Sequence, residues 1–252
     1  MRNAWLILLV TCSGAWGQTQ IFRESFGFGP NHERPKGGKG RMEPSTGGFS
    51  GYWAEYPSNK NTAWMTADGK GSGGWRWASS TPNPYEAPSS LDVEGENGLA
   101  WCSCAAGTQA ALLAPMASPK VKYVVSADLL PSPEAGHYTA VGVTNSNVVQ
   151  DNFESGAAVW VRVRAHTEGG VTTGMAELLT QGLSGPSAAV QVSLDYGGFN
   201  HVELVIDPVG LTATARVSGV VVGTLPIAAG TTRYVGFEGT AGADNLMVKL
   251  VP

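Results

Sequence analysis

Charge is scarce in this chain: Asp, Glu, Lys and Arg make up only 14% of it, and the formal net charge is −4. The basic residues form no stripe, which argues against nucleic acid as a partner. Cysteine is scarcer still. Of the three, Cys12 falls in the apolar opening segment, and Cys102 and Cys104 stand two positions apart in WCSC. One such pair excludes a disulfide framework, and two sulfurs alone make no zinc site. A bridge between them needs a tight, strained turn. The pair reads as two thiols or a local disulfide without catalytic work, the alternative being a redox-labile loop. After Ala4–Val10 no run is apolar enough to cross a membrane. No window of helical period reaches helix length. A Gly-x-Ser-x-Gly elbow, a phosphate loop and a helical His pair are all missing, which removes the motif-bearing enzyme classes.

The chain opens MRNAWLILLVTCSGAWGQTQ, where Arg2 precedes a short apolar run and Ala15-Trp16-Gly17 gives peptidase spacing. A signal peptide is expected over residues 1–17, with secretion to the extracellular space or periplasm. A lipid anchor at Cys12 is the weaker reading, because Thr11 precedes it where a smaller residue is usual. About 235 residues then remain, enough for one large all-β domain over 18–252. Its two parts differ in texture. Residues 27–110 are rich in Gly, Pro, Ser, Asn and Trp, with GPNHERPKGGKGR (29–41) expected as a surface loop.

Strand signals are plentiful. IFRESF (21–26), GWRWASS (74–80) and SSLDVEG (89–95) read as strands in the irregular part. From residue 111 come ALLAPM, KVKYVVSADLL, HYTAVGV, AAVWVRVRA, VTTGMAELLT, AAVQVSL, NHVELVID, LTATARV, VVVGTLPI, TRYVGFEG and ADNLMVKLV. Short alternating segments with Gly, Pro, Asn or Asp between them predict an all-β sandwich of two antiparallel sheets.

Three stretches carry a family resemblance. NHVELVIDPVGLTATARVSGVVVGTLPI resembles the hairpin series of laminin-G-like, concanavalin A-like jelly rolls. YVGFEGTAGADNLMVKLV is similar to the closing strand pair of that superfamily, and IFRESF to the first strand that pairs with the last. The resemblance implies a jelly roll with a loop-rich N-terminal insertion. It also implies a carbohydrate partner, because these folds serve as sugar-binding modules, lectins, glycoside hydrolases, lyases and adhesion domains.

Alternation in GAAVWVRVRAH (156–166) sets Val159, Val161 and Val163 on one face and Trp160, Arg162 and Arg164 on the other. Burying an unpaired arginine costs several kcal/mol, against a total stability of about 5–15. The valines are therefore expected inside, with the Trp-Arg-Arg set open to a ligand. An indole offers a plate for a sugar ring, and a guanidinium offers forked donors to hydroxyls or carboxylates. The alternative is an indole packed beneath a loop, with both arginines pairing surface carboxylates. By the same alternation His137 and Thr139 are expected to flank an inward Tyr138 and Ala140. Glu177 opposes Ala176 and Leu178, Gln191 and Ser193 oppose Val190 and Val192, and His201 and Glu203 oppose Val202 and Leu204. Trp75 and Trp77 share one strand face, near Trp53, Trp64 and Trp101, and form either loop packing or a ligand wall.

In the resembled jelly rolls a structural calcium often joins the first and last strands, which implies Glu24 and Asp244 as its ligands here. Six to eight oxygens are needed, several from the backbone. QDNFES (150–155), with Asp151, Asn152 and Glu154, is a second oxygen-rich loop. The spaced-acid signature of the superfamily's hydrolases is missing. The nearest pattern is Asp92, Glu94 and Glu96, which a turn explains equally well. The expected function is non-catalytic binding of a polysaccharide or glycan through Trp160, Arg162, Arg164, Trp75, Trp77, His137 and Glu177. A glycan hydrolase or lyase on the same fold and a structural surface or matrix protein are the alternatives.

Overall fold

Apolar residues at every second position, broken by turn formers, become strands that bury one set of side chains between two sheets. The computed structural model describes residues 19–24, 49–50, 63–64, 75–78, 99–102, 110–147, 153, 158–230 and 232–251. The irregular part contributes β1 (Thr19–Glu24), β2 (Phe49–Ser50), β3 (Ala63–Trp64), β4 (Trp75–Ala78) and β5 (Leu99–Cys102). The regular part runs β6 (Ala110–Pro115), β7 (Tyr123–Leu130), β8 (Tyr138–Thr144), β9 (Ala158–Glu168), β10 (Val171–Thr180) and β11 (Ser187–Val192). It continues with β12 (Asn200–Asp207), β13 (Thr212–Val217), β14 (Val220–Pro226), β15 (Tyr234–Gly239) and β16 (Gly242–Leu250). No helix occurs among the described residues. The 1–17 leader, the 29–41 loop, SSLDVEG with its alternating acids, and Cys104 lie outside them.

One sheet has eight strands in the order β14-β13-β12-β7-β16-β5-β4, with β1 also on β16; the other has six, β11-β10-β9-β8-β15-β6. A two-stranded ribbon, β2 with β3, is hydrogen-bonded to neither, and β3 packs near β6. The pairings are antiparallel, and the chain is the jelly-roll sandwich that its strand pattern predicts. Turn chemistry closes the hairpins. Gly169 and Gly170 join β9 to β10 with φ of 57° and 80°, the double positive that a two-residue turn needs to match strand twist. Ser218-Gly219 does the same between β13 and β14, with φ of 47° and 82°.

The core lies between the sheets. Val141, Val161, Val163, Ala176, Leu178, Val235 and Phe237 from the six-stranded sheet meet Tyr123, Val125, Val202, Leu204, Ala215, Leu246 and Val248 from the eight-stranded one. The valines of β9 thus face inward as expected. A second, smaller cluster of Ala111, Leu113, Tyr138, Ala140, Phe153, Trp160 and Leu179 covers the other face of the six-stranded sheet. Tyr138 and Ala140 belong to this outer cluster, which reverses the inward orientation expected for them. Every residue of β8 is buried, so alternation of polarity carries no face information there.

The first strand pairs with the last, as the resemblance implies: Phe22 stands opposite Val248 and Glu24 opposite Leu246. The same edge of β16 is shared, since β5 pairs with Gly242 and Ala243. Between the two contacts the register of β16 against β7 shifts, and Asn245 takes a φ of 52°.

Candidate site on the outer face of the six-stranded sheet

Three cross-strand rows build this face. In the first, Ser187, Leu179, Trp160, Gly142, Gly236 and Leu113 follow one another from β11 to β6. The second runs Ala189, Glu177, Arg162, Ala140, Glu238 and Ala111. The third holds Gln191, Met175, Arg164 and Tyr138. Adjacent rows on one face lie about 7 Å apart, within reach of long side chains.

Trp160 is 0% exposed, so the expected open plate for a sugar ring is corrected. The two glycines beside it leave a trough in which a large ring fits; a Cβ on Gly142 would stand 2.6 Å from Trp160 Cβ. Phe153 then stacks on the indole, with centroids 5.6 Å apart and planes 27° from parallel, and Tyr138 leans on it at 5.6 Å and 58°. Glu238, itself fully buried, ties this lid of side chains down. Its Oε1 accepts from the Tyr138 hydroxyl at 2.7 Å, and its Oε2 accepts from the Phe153 N–H at 2.7 Å. The indole Nε1 finds no acceptor among the described residues.

Arg162, Arg164 and Glu177 meet, two cations around one acid, the arginine–carboxylate pairing that stood as the alternative to an open Trp-Arg-Arg set. Their side chains are 18%, 29% and 12% exposed. Glu177 Oε2 accepts from Arg162 Nε and, at 3.1 Å, from Arg164 Nε, while Oε1 accepts from Arg164 Nη2 at 3.0 Å. Burial works to raise the Glu177 pKa, but the hydrogen bonds from Arg164 and Arg162 and both positive charges hold it below the ordinary carboxylate range. The bond to Glu177 raises Arg164 in turn. The Arg162 guanidinium carbon lies 5.5 Å from the ring centroids of both Tyr138 and Trp160, a cation–π position. Beyond Arg164 the face continues into a shallow depression of about 390 Å³ lined by His166, Glu168, Val171, Thr173, Met175 and Gln191. A second cavity, about 180 Å³, opens between the sheets over Tyr123, Val143, Val159, Ile206 and Ile227. Burial pushes Tyr123, whose hydroxyl meets Thr232 there, up to about 12.

The other expected site residues lie elsewhere. His137 stands in the turn before β8, with Nε2 3.4 Å from Glu134, and does not join the arginine cluster. Trp75 and Trp77 are on β4, in the opposite sheet, and their side chains lie outside the described residues. Asp244 is fully buried, and its Oδ1 accepts from the Asn245 N–H at 2.6 Å. In the register it stands opposite Asp128, whereas Glu24 stands opposite Leu246. Among the described residues no three His, Cys, Asp or Glu side chains converge as a metal cage. His201 and Glu203 belong to the outer face of the eight-stranded sheet. There His201 Nδ1 lies 2.7 Å from Asp128 Oδ1, whose other oxygen accepts from Asn245 Nδ2 at 2.9 Å.

Two residues of the site escape a reading based on polarity. Glu238 alternates with Val235 and Phe237 through Gly236, a signal that YVGFEG does contain. Phe153 sits in QDNFES, where the oxygen-rich neighbours draw attention away from the ring. No known protein family and no curated protein matches the sequence. Solved structures similar to it include a carbohydrate-binding module from Bacillus subtilis, with TM-score 0.41 and 11% identity over 74% of this chain and 94% of that one. Another is LamA of Zobellia galactanivorans, solved with laminaritriose and laminaritetraose, at TM-score 0.41 and 8% identity over 92% and 98%. A third is an endo-β-1,3-glucanase from Pyrococcus furiosus, at 0.40 and 12% over 75% and 95%.

Proposed function

We propose that this is a secreted glycan-binding protein that takes its ligand on the outer face of the six-stranded sheet, across Arg162, Arg164 and Glu177 and into the depression beside them. The observation that supports the reading is the half-buried double-arginine cluster on a sheet face turned away from the core, beside a hollow that mixes His166, Glu168, Thr173 and Gln191 with Val171 and Met175. Donors at fixed spacing on a rigid sheet suit an extended polymer of hydroxyl-bearing rings. The sealed Trp160 has a different part: it packs Arg162 from one side instead of stacking on sugar. Calcium at the seam of β1 and β16, with Glu24 and Asp244 among its ligands, belongs to the same proposal.

Pull-down on insoluble polysaccharides and a glycan array test the binding, with reducing-end and unsaturated-product assays on the same samples to detect hydrolase or lyase action. Retention that is unchanged in Arg164→Ala excludes this face. For calcium, the melting temperature is expected to fall on chelation and recover on calcium addition. A flat response to both removes the ion.

A further inference from the structure

We infer that the ligand of this face carries an anionic group, the carboxylate or sulfate of an acidic sugar, received by the uncommitted guanidinium nitrogens of Arg162 and Arg164. The inference deepens the glycan-binding proposal and rests on it.

The bonds within the cluster carry the argument. Glu177 takes the Nε of both arginines and Nη2 of Arg164. That leaves both Nη groups of Arg162 and Nη1 of Arg164 without an acceptor among the described residues. A guanidinium presents five N–H donors in a planar fork, and the paired Nη groups are the end that matches a carboxylate or sulfate two-on-two. Arg162 is also held in place, since Glu177 grips its Nε and the rings of Tyr138 and Trp160 lie beside it. A fork fixed in this way loses little freedom on binding.

Charge points the same way. Two cations share one acid in a setting where the side chains are 12–29% exposed, so among the described residues one positive charge is partly desolvated without an acid of its own. Among the described residues no other acid of this face pairs with either arginine. Glu238 stands in the same row beyond Ala140, and its oxygens take the Tyr138 hydroxyl and the Phe153 N–H. Glu168 lines the depression beside His166, away from the two arginines in the sequence of rows, and its side chain is 89% exposed to solvent. Neutral hydroxyls would satisfy the donors but not the charge.

Binding to an array of neutral, uronate-bearing and sulfated oligosaccharides, read at low and moderate salt, decides the matter. The wild-type chain is expected to hold one acidic class at least tenfold more tightly than the neutral members, with the difference shrinking as salt rises. The uronate and sulfate arms tell the two sources apart. Arg164→Gln is expected to remove most of that preference, and Arg164→Lys, which keeps the charge but not the fork, to remove part of it. Glu177→Gln is expected to lower the melting temperature yet tighten acidic-sugar binding, because it frees donors and adds net positive charge. A cluster with a purely structural role gives the stability loss alone, and that outcome overturns the inference. Equal affinity for neutral and acidic sugars also overturns it while leaving glycan binding intact, and silence across the whole array overturns both.

Discussion

Trp160 and Arg162 share one face of β9, and their neighbours give them opposite fates. A ring beside two glycines can lie flat and be covered, whereas a guanidinium beside Glu177 keeps a charged partner and some solvent. Trp160→Ala is therefore expected to lower stability by about 3–5 kcal/mol, the usual effect of emptying a large aromatic site. Urea denaturation measures it, and a loss below about 1 kcal/mol would contradict the packed position. Glu177 sets an acid limit. Its folded pKa is depressed, so its stabilisation is present above the ordinary carboxylate pKa of about 4.3 and drains away as pH falls through the lower folded value. Melting temperatures between neutral and acid pH should fall less in Glu177→Gln than in the wild type. His201 acts in the other direction. The hydrogen bond to Asp128 raises its pKa, so its contribution is complete below about 6.5 and is lost as pH climbs through the folded value. Asp128→Asn should remove that alkaline slope, which a melting series from pH 6 upward would reveal.

At the scale of the strand, Gly142 is the position where β8 has no room for a side chain. A methyl there meets Trp160 Cβ at 2.6 Å and the Val159 carbonyl closer still. Gly142→Ala is expected to cost about 1–3 kcal/mol by forcing β8 and β9 apart, measurable by denaturant titration. Strand identity was legible along most of the regular part. β10 and β12 occupy the segments their alternation marks, and β1 and β16 pair as the family pattern implies. The facing of β9, β10 and β12 was equally plain, because a charged side chain on one face leaves the chain a single way to turn. Burial of the outer face was not legible. β8 is covered on both sides, and the cover includes Phe153, a residue whose partners lie on other strands. Alternation reports which side chains agree with each other, not what lies on top of them. Alternation put Arg162 and Arg164 on one face, but their meeting with Glu177 depends on β9 lying beside β10, a strand order that the residues do not spell out. β5 was missed because LAWC is too short and too uniformly apolar to show a period.

For the molecule as a whole, the pairing of the extreme strands governs how it forms. β1 cannot settle until β16 exists, so a loop of nearly the whole chain must close first. Folding dominated by such distant pairings is expected on a scale of about milliseconds to seconds. Stopped-flow fluorescence would follow it, and a microsecond phase accounting for the full signal would be at odds with this topology. Phe22 buries its ring at that late seam. Phe22→Ala should then accelerate unfolding far more than it slows refolding, which the two arms of a chevron plot separate.

Thr19 and Leu250 are register partners on β1 and β16, so the two ends of the sandwich lie side by side. A short Gly-Ser bridge can join them, and the exposed Gly169-Gly170 bend offers a place to cut new ends. Such a rewired chain should reach the same architecture. It would also place any fused cargo at the tip of the β9–β10 hairpin, on the strands that carry both arginines.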